Sequence, residues 1–496
     1  MPRFRVLHTP RNRRSPSLLA VAILYCGLTS TPVTNAAEPA AGSEALQAAV
    51  EALASSPSMR SGILGVAVLP LDGGEIIYDH EGARSLVPAS AMKVITTASA
   101  IYRLGSDFRF ATALQVDADG NVIIKGSGDP SFAEYASDDI FATFTAKLKA
   151  AGIEKVEGAV IGDASAFGTQ LIPDTWQYYD MGNYFGAGAS GLSFRRNSYR
   201  AYFAPGKRAG EVARFLGTSP QIPGLQFTNE MRTGTARSGD RGFIYVVPYG
   251  EHAFLRGTIP AGSSRFSIRG SMPDPALTCA QFFHDYLTEN GMAVARPATT
   301  LRRLVAADSA PSSERRELHV HLSEPVRKLA LDTNHRSINL HAECLLRAVA
   351  LKETGTGTIG AGIDASRRLF ASFGIDTTGL HIADGSGLSR LNGVTPRQFA
   401  YLLKSIHNGE HSETFLRTLP VSGQSGTLKY ISGGTPAAGR IRAKSGTLER
   451  IKCYVGYADS QSGKRYAFAI MANNFAGDYY PVRKGIERIM SALVRL

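Results

Sequence analysis

With 496 residues, 44% of them apolar, the chain can form two or three domains around a large core and is too apolar for disorder. Its formal charge of +12 is modest for that length, and no basic run is interleaved with aromatics, which argues against a nucleic-acid partner. Four cysteines, far apart in sequence, exclude a disulfide scaffold.

Residues 1–36 read as an export signal. Arg3, Arg5, Arg11, Arg13 and Arg14 make a basic start with no acidic residue. Leu18 to Leu28 is an apolar run too short to span a membrane, and Thr34-Asn35-Ala36 offers small residues for cleavage. Tyr25 argues against a lipoprotein site at Cys26, because a small residue is needed there. Loss of the five arginines lowers the charge from +12 to +7. That value suits a soluble basic surface; the alternative is weak attraction to an anionic cell-wall polymer or a membrane surface. Cys279, Cys344 and Cys453 remain, and are expected as small buried apolar residues.

Ser43 is a candidate cap for a helix with Leu46, Val50 and Leu53 on one side. Ile63 to Leu69 reads as a strand, Asp72-Gly73-Gly74 as its turn, and Glu75 to Tyr78 as the returning strand. Ser90 to Leu104 reads as a helix with Ala91, Val94, Ile95, Ala98, Ile101 and Tyr102 on one apolar stripe. Ser90 stands at its start, and Lys93 lies one turn on, within reach of the Ser90 hydroxyl. A lysine against an apolar helix has its pKa lowered and can serve as a base, and a helix start favours developing negative charge. Ser-x-x-Lys alone is common by chance, so the reading needs partners elsewhere.

Phe110 to Val116 and Val122 to Lys125 are strand-like around Asp119-Gly120. Gly126-Ser127-Gly128-Asp129-Pro130 lacks the Lys-Ser/Thr ending of a phosphate loop and reads as a structural turn. Residues 156–270 are rich in short strand patterns, and Ala276 to Asn290 returns to helix. His319 and His321 alternate along Leu318 to Leu322; with no third ligand nearby they read as strand residues, not a metal site. Ser337-Ile338-Asn339 precedes a helix bearing Ala342, Leu345, Leu346 and Val349. Three strands then follow: Arg440 to Ser445, Lys452 to Ala458 and Tyr466 to Met471. The tail, Val482 to Leu496, is an amphipathic helix expected to pack on a sheet rather than lie on a membrane. Two N-terminal and three C-terminal strands are expected to share one antiparallel sheet with the terminal helices on one face, and residues 108–320 to be inserted.

Three motifs stand in chain order: Ser90-x-x-Lys93, Ser337-x-Asn339, and Lys444-Ser445-Gly446-Thr447. With Leu86-Val87-Pro88-Ala89, Gly128-Asp129-Pro130, Asn183-Tyr184, Gly188 to Leu192, Asp384 to Arg390 and Met471 to Phe475, they extend over nearly the whole mature chain. The chain resembles the class C low-molecular-mass penicillin-binding proteins, the DacB-like D-alanyl-D-alanine carboxypeptidase/endopeptidase family. The long gap between the first two motifs fits that family's insertion.

The resemblance implies an α/β chain of α+β type. A serine β-lactamase/transpeptidase-like domain with a five-stranded antiparallel sheet carries one or two smaller strand-rich domains. The expected borders are 37–107 and 321–496 for the catalytic domain, 108–164 and 272–320 for a second, and 165–271 for a third. Ser90 is the implied nucleophile and Lys93 its base. Ser337 passes a proton to the leaving amine, and Asn339 binds a substrate amide. Backbone N–H groups of Ser90 and Thr447 form the oxyanion hole. Lys444, kept charged, holds the terminal carboxylate with Ser445 and Thr447. Ile338 stands where aspartate is frequent, and Ser445 replaces the usual threonine but keeps its hydroxyl. Asp180 and Arg390 shape the stem-peptide pocket by the same resemblance; as plain residues they also read as ordinary loop pairing. The implied partners are peptidoglycan stem peptides and β-lactam antibiotics, the location is periplasmic, and no metal or cofactor is called for. A β-lactamase is disfavoured because Phe373 to Leu380 contains Asp376 but no Glu-x-x-Leu-Asn pattern. A penicillin sensor or non-hydrolytic wall-binding protein on the same fold is the reading from another class.

Overall fold

The computed structural model describes residues 41–134 and 137–496; the export-signal reading falls outside them. Helix α1 (Ala41–Ala54) buries Leu46, Val50 and Leu53 along one side. It begins two residues before Ser43, which is therefore not its cap. Strand β1 (Ile63–Pro70) leads through a loop with Gly73 and Gly74 at positive φ to β2 (Tyr78–His80). The return strand starts later than the predicted Glu75 because the loop is wider than a tight turn.

Helix α2 (Lys93–Leu104) corrects two expectations. A 3-10 turn, Ala89–Met92, precedes it, so Ser90 lies on that turn and does not cap the helix. The helix also lacks a solvent face along most of its length: Lys93 through Ile101 are all buried. Thr96 and Thr97 are accommodated by donating to the carbonyls of Gly385 and Lys93, each at 2.6 Å. A helix buried all round belongs to the middle of a core.

Residues 111–322 then build three sheets of their own. One is five-stranded, ordered Thr299–Thr300, Val160–Asp163, Val122–Gly126, Ala111–Asp117, Arg315–Leu322. The second runs Phe266–Ser271, Ser198–Ala204, Arg214–Ser219; the third gathers Arg241–Tyr245, His252–Pro260, Gln226–Asn229 and Arg232–Gly234. Helices Ser137–Ala150 and Pro275–Glu289 cover an aromatic core with Phe141, Phe144, Phe194, Phe203 and Phe283. His319 and His321 pack edge-on against Phe144 and Phe132. In the 126–130 turn, Gly128 has φ 100, and a Cβ there would lie 2.0 Å from the Phe167 ring.

Helix α3 (Asn339–Thr354) buries Ala342, Leu345, Leu346 and Val349. Helix α4 (Pro396–Asn408) opens with proline at its first position and a capping box. Gln398 N–H donates to the Thr395 hydroxyl at 3.1 Å, and Thr395 N–H donates to Gln398 Oε1 at 3.0 Å. Strands β3 (Ile441–Leu448), β4 (Ile451–Asp459) and β5 (Arg465–Asn473) and helix α5 (Tyr479–Leu493) complete the chain.

The central sheet is antiparallel throughout, in the order β3–β4–β5–β1–β2. Its inner strands β1, β4 and β5 are buried on both faces and read as largely apolar runs, while edge strand β2 is not buried. Alternate residues separate two cores. Leu64, Val66, Val68, Phe468 and Ile470 face α1 and α5, while Ala67, Leu69, Val455 and Ala469 face α2 and α4. Cys279, Cys344 and Cys453 are buried and unbridged. Among the described residues no helix is long and apolar enough to cross a membrane.

Candidate active site

The site lies where the Ala89–Met92 turn, the start of α3 and edge strand β3 meet. Strand β3 approaches the turn so closely that a Cβ on Gly446 would lie 2.4 Å from the Pro88 carbonyl and 3.0 Å from the Ala91 nitrogen. On another side Gly387, with φ 80, packs against the turn; a Cβ there would lie 1.8 Å from the Ala89 carbonyl. Only glycine permits either approach.

Lys93 Nζ stands at the centre. It lies 3.0 Å from Ser90 Oγ, 2.6 Å from Asn339 Oδ1 and 2.6 Å from the Ser386 carbonyl. Lys93 is wholly buried, and burial pushes its ammonium down to about 7, against the opposing pull of Asp384 and Glu343. It therefore has a substantial neutral fraction near neutral pH, which an exposed lysine lacks.

Asn339 is engaged at both ends, accepting from Lys93 and donating from Nδ2 to the Phe185 carbonyl at 2.8 Å. It thus orients the lysine and ties the inserted region to the site. Ser337, with φ 56 and ψ 43, forms the left-handed link between the preceding helix and α3. Lys444 is also fully buried, and its Nζ donates to the Ser445 carbonyl at 2.6 Å. Lys444 is expected to keep its charge; burial, then Lys93 and Lys452, lower its pKa well below the usual lysine value, and an arriving carboxylate would favour the charged form. Ser445 Oγ donates to Thr427 Oγ1 at 2.8 Å, and the exposed Thr447 accepts from Lys452 Nζ at 2.6 Å.

Asp180 and Arg390 come together with Tyr179. Arg390 Nη1 lies 3.7 Å from Asp180 Oδ2, and Nη2 donates to the Tyr179 hydroxyl at 2.5 Å. Burial raises the Asp180 carboxyl, with Arg390 opposing.

Beneath the lysine lies a polar layer that the motifs do not reveal. Glu343, one turn after Asn339, accepts from Ser386 N–H at 2.8 Å and Gly385 N–H at 3.1 Å. Burial pushes Glu343 up to about 7, and Asp384 adds to the rise. Asp384 accepts from the N–H groups of Gly387 and Ser389, from Asn392, and from Trp176 Nε1 at 2.9 Å. These bonds fix the loop whose Ser386 carbonyl holds Lys93. The sequence signal was the run Asp-Gly-Ser-Gly, rich in turn formers; nothing local identified Glu343, Trp176 or Lys452.

The arrangement combines a hydroxyl, a buried amine within hydrogen-bond reach and an edge strand beside them, as serine acyl transfer requires. Across residues 46–493 the chain matches the model of the D-Ala-D-Ala carboxypeptidase 3 (S13) family. The chain belongs to that family. It is a serine-type D-Ala-D-Ala carboxypeptidase. It is 27% identical over 493 residues to a D-alanyl-D-alanine carboxypeptidase of Actinomadura sp. (strain R39), covering 94% of this chain and 88% of the relative. It is 25% identical over 417 residues to the D-alanyl-D-alanine carboxypeptidase DacB of Haemophilus influenzae, covering 82% and 84%. The crystal structure of penicillin binding protein 4 (dacB) from Haemophilus influenzae matches with a TM-score of 0.78 at 23% identity, covering 90% of this chain and 99% of that one. That likeness establishes the fold: a five-stranded antiparallel sheet flanked by helices, with three further sheets built between its strands.

Proposed function

We propose that this S13 carboxypeptidase cleaves the terminal D-Ala-D-Ala bond of peptidoglycan stem peptides through an acyl-enzyme on Ser90. The supporting observation is the 3.0 Å contact between Ser90 Oγ and a buried Lys93 whose pKa is about 7. Neutral Lys93 takes the hydroxyl proton as Ser90 attacks the penultimate carbonyl. Backbone N–H groups of Ser90 and Thr447 stabilise the oxyanion. The terminal carboxylate sits against Lys444, Ser445 and Thr447 on β3, where it favours the charged form of Lys444. Ser337 returns a proton to the leaving amine, and water then releases the acyl group. Asp180 and Arg390 border the pocket for the rest of the stem peptide. On this reading residues 37–107 and 321–496 carry the chemistry, and 108–164 with 272–320, and 165–271, are domains that wall the substrate. The basic, apolar stretch 1–36 supports export, and a periplasmic location gives access to the wall. The remaining charge of +7 supports weak attraction to anionic wall polymers.

Penicillin presents a strained amide and a carboxylate to the same groups, so it acylates Ser90 and leaves slowly. Intact mass spectrometry after incubation with penicillin is expected to show one adduct per chain and none in Ser90→Ala. An undiminished adduct in that variant rules the assignment out. Repeated release of D-alanine separates the carboxypeptidase from a penicillin sensor, which acylates once.

A further inference from the structure

One of the inserted sheets has one face in the core and one face open. In its strand Arg241–Tyr245, Ile244 is buried, while Phe243 and Tyr245 on the other side are partly exposed. In the neighbouring strand His252–Pro260, Ala253 and Leu255 are buried. Tyr245 pairs with Phe254 and Phe243 with Arg256, so these four side chains share the open face. Three aromatic rings on an open sheet face form an apolar patch that the fold of this sheet does not need.

The patch extends beyond the sheet. A single helical turn, Tyr178–Met181, lays Tyr178 against Tyr245 with ring centres 5.3 Å apart, and Tyr179 edge-on to Phe243 at 5.9 Å. Tyr178 is still 53% exposed, so its contact with Tyr245 leaves ring surface free. Arg256 lies over the rings of Phe254 and Tyr245, 4.8 and 5.7 Å from their centres, and its Nε donates to Glu230 at 2.6 Å. That bond fixes the guanidinium plane and leaves the Nη hydrogens to donate elsewhere. The strip ends at Tyr179, whose hydroxyl accepts from Arg390, the partner of Asp180. Burial and then Asp180 raise that hydroxyl, with Arg390 opposing and Glu449, one residue past β3, adding to the rise. The strip therefore runs from the inserted sheet to the edge of the active-site cleft.

Flat rings beside hydrogen-bonding side chains match a molecule with apolar C–H faces and a rim of hydroxyl and amide groups, which describes an N-acetylated pyranose. An anionic polymer or lipid headgroup matches less well. The two guanidiniums over these rings, Arg256 and Arg390, already face the carboxylates of Glu230 and Asp180. Stem peptides are carried on a strand of such sugars, and a stem lying along Asp180 and Arg390 brings its strand to Tyr179. We propose that the open face formed by Tyr178, Phe243, Tyr245, Phe254 and Arg256 is a subsite for the glycan strand, holding the N-acetylated sugars next to the stem being cleaved. The inference rests on the reading that Asp180 and Arg390 border the stem-peptide pocket.

The test gives the full chain the same pentapeptide in two forms, free and attached to a strand of several disaccharides. KM for the strand-borne peptide is expected to be about tenfold lower, the size of two ring contacts, with kcat alike. Tyr178→Ala with Tyr245→Ala should remove that difference and leave free-peptide hydrolysis within about twofold of the parent. Tyr178→Phe with Tyr245→Phe should keep it, because the rings remain. The difference should persist in about 0.5 M salt, since ring contacts are not screened. Peptide-free strands should bind Ser90→Ala, and less tightly by about tenfold when both tyrosines are alanine. Arg390→Gln examines the stem-pocket reading separately: it should raise KM for the free peptide and leave binding of peptide-free strands in place. Penicillin acylation reports the Ser90 reading. The inference is overturned if peptide-free strands do not bind or bind the alanine pair equally well. It is also overturned if the parent has one KM for both substrates, if the alanine pair raises both KM values by the same factor, or if salt abolishes the difference.

Discussion

Asp163 in the inserted region and Glu343 beneath the active site are both buried carboxylates, and they end on opposite sides of their ordinary pKa. Burial pushes Asp163 up, but bonds from Ser165 and from Arg315 at 2.7 Å overcome it and hold the group below the usual range. Glu343 receives backbone N–H bonds too, yet burial and the neighbouring Asp384 win, and it rises to about 7. Lys93 shows the same incomplete compensation from the cationic side, while at Lys444 burial, Lys93 and Lys452 all push the pKa down. At Asp163 the inserted region compensates its buried charge, whereas at Asp129 burial outweighs the Ser131 bonds and raises the carboxyl to about 6. Beneath the active site Lys93 and Glu343 stay under-compensated and both move to about 7, a range where protons are exchanged.

The sharpest way to break this contrast is to exchange the lysines. Lys93→Arg keeps a cation but removes the usable base, because a guanidinium does not deprotonate. Acylation by a fluorescent penicillin is expected to fall by at least about 10³-fold. Lys444→Arg retains a carboxylate-binding fork and should lose only about 10- to 100-fold. Folded state is checked by circular dichroism for both. If Lys93→Arg acylates like the parent while Lys444→Arg is dead, the base has been assigned to the wrong lysine. The parent should also show a pH limb set by Lys93. Its neutral form is the acceptor, so the rate rises by about tenfold per pH unit below about 7 and levels off above it. Asp163→Asn should leave this profile in place and lower the melting temperature.

Gly446→Ala tests position without touching charge. The new Cβ meets the Pro88 carbonyl at 2.4 Å, and both sides of that contact are backbone, so β3 must withdraw from the Ser90 turn. A displacement of this kind costs about 10²-fold in acylation, whereas a surface glycine such as Gly463 has open space for the same methyl. A parent-like rate in Gly446→Ala means that the strand does not set the oxyanion geometry.

The central sheet was legible because β1, β4 and β5 are largely apolar segments of strand length bounded by turn residues, and β3 alternates through the Lys444-Ser445-Gly446-Thr447 motif. The terminal helices were legible because Leu46, Val50, Val482 and Ile486 repeat at helical spacing. Ser90 and Lys93 were legible because they share one turn of chain. Other features depend on tertiary partners. The burial of α2 on every side comes from α3 and the Gly385 loop, which local pattern does not encode. Lys444 was singled out by its motif as a carboxylate holder, but its complete burial and lowered pKa depend on depth that the strand pattern does not encode. Glu343 and Trp176 are joined through Asp384, yet they are far apart in sequence and lie outside the three motifs.

Trp176→Phe sharpens the comparison at the seam between the two regions. It keeps an apolar ring from the inserted side and deletes one donor to Asp384, leaving a buried carboxylate oxygen short of a bond. The expected loss is about 1–3 kcal/mol of stability, read from denaturant midpoints. A several-fold drop in kcat should accompany it as the Ser386 carbonyl loses its fixed position. A stability loss with unchanged kcat means that the polar layer holds the loop without tuning Lys93.

The smallest expected effect concerns Lys452, which lies opposite Thr447 in the β3–β4 register. Its Nζ donates to Thr447 Oγ1 at 2.6 Å, and the ammonium lies 5.2 Å from the centre of the Tyr454 ring and 5.7 Å from that of Tyr479. A threonine hydroxyl that accepts one hydrogen bond has its own hydrogen left to donate. Charged Lys452 therefore points the Thr447 hydrogen toward an incoming carboxylate. Burial, with Arg483 adding and Cys453 opposing, lowers Lys452 to about 8, while Lys444 faces it from β3 and is itself depressed by it. Above that pH the neutral amine can accept from Thr447 instead, turning the hydroxyl hydrogen away from substrate. KM for a stem peptide should consequently rise as the pH passes from 7 to 9, with kcat little changed. Lys452→Met should raise KM about three- to tenfold at pH 7 and remove the rise at higher pH. If KM in Lys452→Met equals the parent value at pH 7 and still climbs by pH 9, the hydroxyl is oriented by another group and Lys452 only packs beneath the strand.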